Sequence, residues 1–234
     1  MYLHIADGEK EPINAIIDSD DACFTPMIFR IVKMIPVFNI ISVFWAENNV
    51  QLDTVFEGLK NCDALLERLQ CVDKQSVKYF NANMVNHNEE LALLPLDAFK
   101  EMLSMFKRYR DEAGFTIKDS DLICIKELFY ESVRRECFPE KNGRLGTVFF
   151  YENLMVAEMA YHQKGKKDGR FCEVEIVETR SLDRYDSRWL TDLRASCIFK
   201  ECLDAVKNYW KGEMTEHPKM EILFSGKYIL KDLS

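Results

Sequence analysis

A carboxylate opens the last apolar segment of this sequence, "MEILFSGKYIL", in which Glu221 precedes two short apolar runs joined by Ser225-Gly226. An acid in this place is either an ordinary solvated strand residue or the group around which a reaction is built. The segment alone leaves both interpretations open. Glu221 is therefore the first candidate catalytic residue.

Four other acids lie near Glu221 in the sequence and compete with it. Glu213 and Glu216 occupy the polar loop "GEMTEHP", where they are expected to be solvated, although either is a candidate to activate a nucleophile as a general base. Asp183 and Asp186, in "SLDRYDSRWL", are expected to turn the chain and cap a short helix. The sequence contains no GxxxxGK[ST] or GxGxxG loop, so any nucleotide would need a different cradle.

Cysteine and histidine spacing offers no metal site. The eight cysteines include no CxxC pair and lie mostly in apolar periodic segments, which favours a reduced, cytoplasmic chain. The four histidines lie at no ligand spacing from the cysteines. The sequence therefore predicts no metal cofactor.

Length, charge and hydropathy limit the classes of protein to which this chain can belong. A chain of 234 residues with 47% hydrophobic residues suits one large domain, or one domain with an insertion. A net charge of −8 argues against broad binding of a phosphate backbone. The longest apolar stretch is interrupted by Arg30, Lys33, Pro36 and Asn39, which predicts no membrane span. Because Asp7, Glu9 and Glu11 occupy the place of a basic and then apolar leader, we expect no signal peptide.

The elements that must position these residues follow from periodicity. "MYLHIA" alternates and predicts a strand over residues 2–6. Helical stripes predict helices from Pro26, with a break or kink at Pro36, over "QLDTVFEGLKNCDALLERLQC", "PLDAFKEMLSMFKRYRDEAG" and "KDSDLICIKELFYESVRREC". Beyond Pro139 the pattern becomes strand "TVFFYE", helix "NLMVAEMAYHQKG", strand "RFCEVEIVE", helix "SCIFKECLDAVKNYWKGE", and a hairpin of "MEILF" and "KYILKDL" turning at Ser-Gly.

This order predicts an α+β fold. Strands lie at both ends of the chain, so residue 4 can lie near residue 221, which permits a site built from His4 and Glu221. We predict a core of residues 1–24 and 121–234 and a helical insertion of residues 25–120.

The C-terminal segment resembles the ADP-ribosyltransferase superfamily. "MEILFSGKYIL" looks like that superfamily's Glu-led strand pair, "LHIA" like its first-strand motif, and "RLGTVFFYENLMVAEMAY" like its middle strand and helix. The last hundred residues also resemble an uncharacterised bacterial family of that superfamily. The resemblance covers residues 1–8 and 127–234, and it implies a split β-sheet core and NAD as the substrate. The order of its motifs predicts that the N-terminal strand and the C-terminal hairpin share one sheet, with His4 and Glu221 opening onto one cleft.

The resemblance implies roles for the two end motifs. Cleavage of the bond between nicotinamide and ribose passes through an oxocarbenium-like state, which a carboxylate at Glu221 would stabilise while it hydrogen-bonds the ribose. His4 would hydrogen-bond the adenosine ribose. A purely structural histidine remains the alternative.

The middle motif supplies the other implied contacts with NAD. Arg144 would pair with the pyrophosphate, unless it is a solvated turn arginine. Thr147, Phe149 and Tyr151 share one face of the predicted strand, and any of them can meet the nicotinamide. Tyr151 is the preferred residue, although an aromatic at a strand end needs no such role.

The implied function is mono-ADP-ribosylation of a macromolecule, either protein or nucleic acid. The family setting suggests a bacterial toxin, effector or phage-defence component, which would have an inhibitory or antitoxin protein partner. The alternatives are an NAD-dependent RNA 2′-phosphotransferase and a non-catalytic protein-binding module on the same fold. The acidic balance and the absence of a clustered Arg/Lys/His set weigh against the phosphotransferase.

Overall fold

The chain folds into helices and antiparallel strands, as expected for an α+β protein. The computed structural model describes residues 1–7, 11–21, 26–71, 79–81, 93–164, 169–191 and 198–233. The strands are β1 (Tyr2–Asp7), β2 (Ile16–Asp18), β3 (Tyr79–Asn81), β4 (Leu93–Pro95), β5 (Val148–Tyr151), β6 (Gly169–Asp186) and β7 (Met220–Asp232). The helices are α1 (Pro26–Asn48), α2 (Leu52–Lys60), α3 (Cys62–Gln70), α4 (Leu96–Ala113), α5 (Asp121–Cys137), α6 (Leu154–Lys164), α7 (Arg188–Thr191) and α8 (Phe199–Lys211).

The chain divides into two compact units. The sheet unit comprises Met1–Thr25, Glu131–Asp192 and Val206–Ser234, and the helical unit comprises Pro26–Tyr130 and Leu193–Ala205. The helical unit starts next to the predicted boundary at residue 25. It runs ten residues beyond the predicted end at residue 120 and gains a second segment, because the dividing lines fall inside α5 and α8.

The sheet unit is built on a five-stranded antiparallel sheet that closes on itself. Its strand order is β2-β7-β5-β1-β6, and β6 also pairs with β7. The predicted placement of the N-terminal strand and the Glu221 segment in one sheet is therefore confirmed. Closure removes most of the exposed strand edges at which other chains could pair.

The strand register decides which residues share a face of this sheet. Leu3 lies opposite Tyr151, and Tyr151 lies opposite Glu221, so these three side chains lie on one face, because directly paired residues point the same way. Their neighbours Phe150 and Ile222 point to the other face and are fully buried. That inner face carries a buried apolar cluster, which comprises Ala6, Val148, Phe150, Cys172, Ile222, Phe224, Tyr228 and Leu230.

The predicted C-terminal hairpin is wrong, because β7 is one continuous strand of 13 residues. Ser225-Gly226 lies in its middle, opposite the part of β6 where register shifts occur between Ile176 and Glu178 and between Thr179 and Ser181. Two bulges add two residues to β6, which restores the inward direction of its apolar side chains on both sides of the irregularity. The Ser-Gly pair thus lies where the pairing of β7 with β6 becomes irregular, and the chain does not reverse its direction there.

The helical unit buries α1 against α4. Every third or fourth residue of α1 is buried, namely Ile31, Met34, Val37, Phe38, Ile41, Phe44 and Trp45. Arg30, near its start, is anchored by the fully buried Asp121, whose Oδ1 accepts from Arg30 Nε at 2.5 Å. α1 continues through Pro36, so the predicted break there is absent.

The other helical stripes follow the sequence with one change. The stripe predicted over residues 51–71 forms two helices, because the chain interrupts the helix at Asn61 between α2 and α3. The helix predicted over "PLDAFKEMLSMFKRYRDEAG" is confirmed as α4. It ends before the last glycine of that segment, Gly114, whose φ of 62° is left-handed and whose N–H donates to Arg110 O at 2.9 Å.

One stretch of α1 meets the simplest test for a membrane helix. Among the residues that the structure describes, Phe29–Asn48 alone is long and apolar enough to cross a bilayer, with a mean hydropathy of 1.5. The core helix of a soluble protein passes the same test. One side of α1 is buried beside α4, whereas Phe29, Val32, Ile35 and Val43 of the same helix are exposed.

Candidate active site

Glu221 lies near the start of β7 with a strand on either side. Tyr151 of β5 and Tyr185 of β6 are its directly paired neighbours. The residue is only 5% exposed, so it is not the solvated strand acid of the simpler interpretation. A buried carboxylate is costly unless it is paired and hydrogen-bonded.

Two side chains satisfy one oxygen of this carboxylate. Glu221 Oε1 accepts a hydrogen bond from Tyr209 OH at 2.6 Å and a charged hydrogen bond from Arg144 Nη1. Arg144 Nη1 also donates to the Tyr209 hydroxyl oxygen at 2.9 Å. The three groups thus form a closed ring of hydrogen bonds.

The other oxygen of Glu221 is in a different position. Within the described part of the chain, Oε2 accepts no hydrogen bond. It is not among the fully buried polar atoms that lack a partner either, so it retains contact with solvent. Glu221 therefore has one anchored oxygen and one oxygen that keeps some contact with solvent, on a side chain that is 7% exposed.

Arg144 is placed by a 3-10 turn, Arg144–Gly146, that leads into β5. Its guanidinium lies over the Phe149 ring, 4.9 Å from the centroid, and 5.4 Å from that of Tyr209. Its side chain is 11% exposed, so it is neither a solvated turn arginine nor an unoccupied anion site. The predicted pairing of Arg144 with a pyrophosphate would require it to leave Glu221.

Tyr209 was not among the candidate residues, although it lies in the helix predicted over "SCIFKECLDAVKNYWKGE", which is α8. The residue is fully buried, and a buried tyrosine hydroxyl usually finds a hydrogen-bond partner. Burial, opposed by Arg144 and reinforced by Glu221, raises the pKa of Tyr209 well above its ordinary value. The hydroxyl is therefore protonated and can donate to the carboxylate. A tyrosine in an otherwise apolar stripe was the available signal.

The three candidate residues for nicotinamide contact have different environments. Phe149 is half-buried, whereas Tyr151 is 3% exposed. Burial, together with the negative charge of Glu221, raises the pKa of Tyr151, against the opposing charge of Arg144. Thr147 is buried, and its hydroxyl lies 3.3 Å from Gly143 O. Phe149 is thus the most exposed of the three.

His4 does not lie in this site. It is on the inner face of the sheet, because its neighbour Leu3 shares the outer face with Glu221. Its Nδ1 lies 2.9 Å from Phe149 O and its Nε2 lies 3.0 Å from Glu11 Oε1. The prediction that His4 and Glu221 open onto one cleft is therefore wrong, and both ring nitrogens are already occupied.

The inner group around His4 is a buried polar network. Nδ1 must carry a proton, because a carbonyl oxygen only accepts. Glu11 Oε1 also accepts from Tyr228 OH at 3.1 Å. All three side chains are nearly inaccessible, with exposures of 6%, 5% and 0% for His4, Glu11 and Tyr228. The structural interpretation of His4 is the one that these contacts support.

Asp186 fixes the loop that precedes Glu221. Its Oδ1 accepts from the N–H groups of Arg188 and Lys219 at 2.9 and 2.8 Å, and its Oδ2 from the N–H and hydroxyl of Thr215 at 2.8 and 2.6 Å. The predicted capping of a short helix by Asp186 is confirmed at α7, and the loop contacts extend that role. The predicted turn at Asp183 is wrong, because this residue lies within β6, where its Oδ2 accepts from Asn142 Nδ2 at 2.8 Å. The competing acids Glu213 and Glu216 are exposed, as expected.

We expect Asp186→Asn to lower the free energy of unfolding by about 2 kcal/mol at pH 7. The NH2 group of the asparagine would replace one acceptor oxygen and face donors instead of accepting from them. Burial opposes the charge of Asp186, but hydrogen bonds from Thr215, Lys219 and Arg188 outweigh it and hold the pKa of the carboxyl below its ordinary value. A depressed folded-state pKa stabilises the protein above the unfolded pKa of about 3.9, and this contribution is lost as pH falls through the folded value.

The measurement is urea unfolding of both proteins at about pH 7 and about pH 3. The difference between wild type and Asp186→Asn should shrink at the lower pH. Glu216→Gln, at an exposed loop position, is the control and should stay within about 0.5 kcal/mol of wild type. A difference that grows as pH falls would contradict the assignment.

The site shows no metal-binding constellation. Among the residues that the structure describes, no group of three His, Cys, Asp or Glu side chains could hold a metal ion. The charged groups at Glu221 are instead one carboxylate and one guanidinium.

Comparison with known families gives a match without a function. A family model described as "Protein of unknown function (DUF2441)" matches residues 39–232. No curated protein matches the chain.

Proposed function

Because the chain belongs to the DUF2441 family, whose description assigns no activity, we propose a function from its site: transfer of ADP-ribose from NAD to a macromolecule. The observation that carries the proposal is Glu221, a nearly buried carboxylate at the start of β7 with one oxygen anchored and the other in some contact with solvent. The resemblance of the Glu-led segment to ADP-ribosyltransferases supports it. The occurrence of β1 and β7 in one sheet also supports the proposal. We further propose that the chain has the fold of that superfamily.

The chemistry would proceed at the glycosidic bond of NAD. The bond between C1′ of the ribose and the ring nitrogen of nicotinamide breaks, and its electron pair leaves with neutral nicotinamide. Glu221 Oε2 would accept a hydrogen bond from a ribose hydroxyl and stabilise the positive charge on the sugar. The acceptor's nucleophile then bonds to C1′ and releases its proton to solvent.

The surrounding residues take roles that their positions support. Phe149 is the proposed platform for the nicotinamide, since it is half-buried on the same sheet face as Glu221. Arg144 is assigned to Glu221 and not to the pyrophosphate. His4 has no role in binding NAD under this proposal. A toxin, effector or phage-defence role rests on the resemblance alone.

The test incubates the protein with a bacterial lysate and with NAD that carries ³²P in its phosphates. The labelled product is then digested separately with protease and with nuclease. Label released only by protease identifies a protein acceptor, and label released only by nuclease identifies a nucleic acid. NAD that binds but stays intact would favour a non-catalytic binding module, and NAD that does not bind would overturn the proposal.

A further inference from the structure

The two oxygens of Glu221 are held unequally, and Tyr209 is one cause. Both side-chain donors to Glu221, Tyr209 OH and Arg144 Nη1, converge on Oε1. The terminal torsion of a glutamate is broad, so a carboxylate turns freely unless it is held. We propose that Tyr209 is a positioning residue that keeps Oε2 of Glu221 turned to solvent, where the reaction needs it. Its catalytic meaning rests on the proposed function.

Tyr209 is fixed more firmly than the carboxylate it holds. It is fully buried in α8, and its ring lies 4.7 Å from that of Tyr185 and 4.9 Å from that of Trp210. A side chain with two χ angles that packs against two rings loses little further freedom when it donates a hydrogen bond. Such a rigid second layer is what keeps a reacting group in its productive geometry.

Arg144 alone would hold Glu221 less securely. It extends from a turn, and its long side chain has several rotatable bonds. A guanidinium also pairs readily with a diphosphate, so a bound dinucleotide would compete with Glu221 for it. Tyr209 is neutral, because burial keeps its hydroxyl protonated, and it has no such competitor. Glu221 would therefore stay oriented when the anionic substrate enters.

The structure offers a matched control for this role. Tyr185 is also buried, is directly paired with Glu221 in the sheet, and packs against Tyr209. Its hydroxyl has no hydrogen-bond partner in the part of the chain that the structure describes. Tyr209→Phe and Tyr185→Phe remove the same atom from neighbouring rings, and only the first removes a contact with Glu221.

The experiment measures kcat and KM for NAD, and urea unfolding, in the two variants. We expect Tyr209→Phe to lower kcat by about 10- to 100-fold, because it loses a hydrogen bond to a charged group, with KM changed by less than about two-fold. Its unfolding equilibrium constant should rise by a similar factor. Tyr185→Phe should leave all three quantities near wild type.

The outcomes separate this inference from the proposed function. A wild-type protein that turns over NAD, with Tyr209→Phe equally fast, would overturn the positioning role and leave the function standing. A rise in KM without loss of kcat would overturn it too. If the wild type leaves NAD intact, the proposed function fails. Urea unfolding then tests the hydrogen bond between Tyr209 and Glu221. Equal stability of the two variants overturns this hydrogen bond, and a loss of stability in Tyr209→Phe alone supports it.

Discussion

Replacing Glu221 with glutamine should lower ADP-ribosyl transfer from NAD by about 100- to 1,000-fold or more. A carboxylate that stabilises the oxocarbenium-like state contributes more to the transition state than to the bound dinucleotide, so the loss should fall on kcat. Binding of NAD should be largely retained, because glutamine keeps the size and the acceptor oxygen of the side chain. Steady-state kinetics and a binding isotherm measure the two effects.

The controls for Glu221→Gln are Glu213→Gln and Glu216→Gln, which change exposed loop acids. Both should retain activity. Full activity in Glu221→Gln would remove Glu221 from the mechanism, and loss in either control would identify that acid instead. Replacing an exposed strand acid would change stability by only about 0.5 kcal/mol. Since Glu221 is buried against Arg144, we now expect a loss of stability of about 2 kcal/mol, so the assay needs a temperature at which the variant stays folded.

Replacing Gly226 with alanine should lower the free energy of unfolding by about 4 kcal/mol. The φ of Gly226 is 151°, a conformation that side chains rarely adopt. An added Cβ would lie 2.0 Å from the Glu178 carbonyl oxygen and 2.8 Å from the Phe224 ring. A clash with the backbone of a paired strand cannot be relieved by rotation of a side chain. The cost of this clash therefore adds to the cost of the unfavourable φ.

Urea unfolding measures the Gly226→Ala effect. Gly146→Ala is the control, because a Cβ there would meet nothing within 4 Å and its φ is not left-handed. This variant should stay within about 1 kcal/mol of wild type. A Gly226→Ala protein as stable as wild type would mean that β7 takes a different course at Ser225-Gly226.

Local patterns predicted the helices well. The stripe of α4 and its glycine stop are in the structure as expected, and α8 likewise ends before Gly212, whose φ is 81°. These features depend on residues three or four apart and on a cap, so the sequence contains all that is needed. The interruption at Asn61 between α2 and α3 has no such strong local signal, and it was missed.

Long-range pairing explains what the sequence could not predict. Alternation indicates which residues of a strand share a face, but not which face is inner. For His4 and Glu221, the inner face is decided by the register of β1, β5 and β7. The paired residues of β1 and β5 lie more than a hundred positions apart in the sequence. The same holds for Ser225-Gly226, a turn signal whose outcome depends on bulges in β6. Tyr209 was missed because its partners lie on other elements.

Closure of the sheet also has a consequence for synthesis of the protein on the ribosome. β1 and β5 emerge long before β7, yet β5 pairs with β7, and β6 pairs with it along nearly its whole length. The nascent sheet therefore presents open strand edges until residue 232 has been added, and contacts of such long sequence separation form slowly. Unpaired edges promote association between chains. A nascent chain stalled before β7 should accordingly depend on chaperones more than the finished protein does.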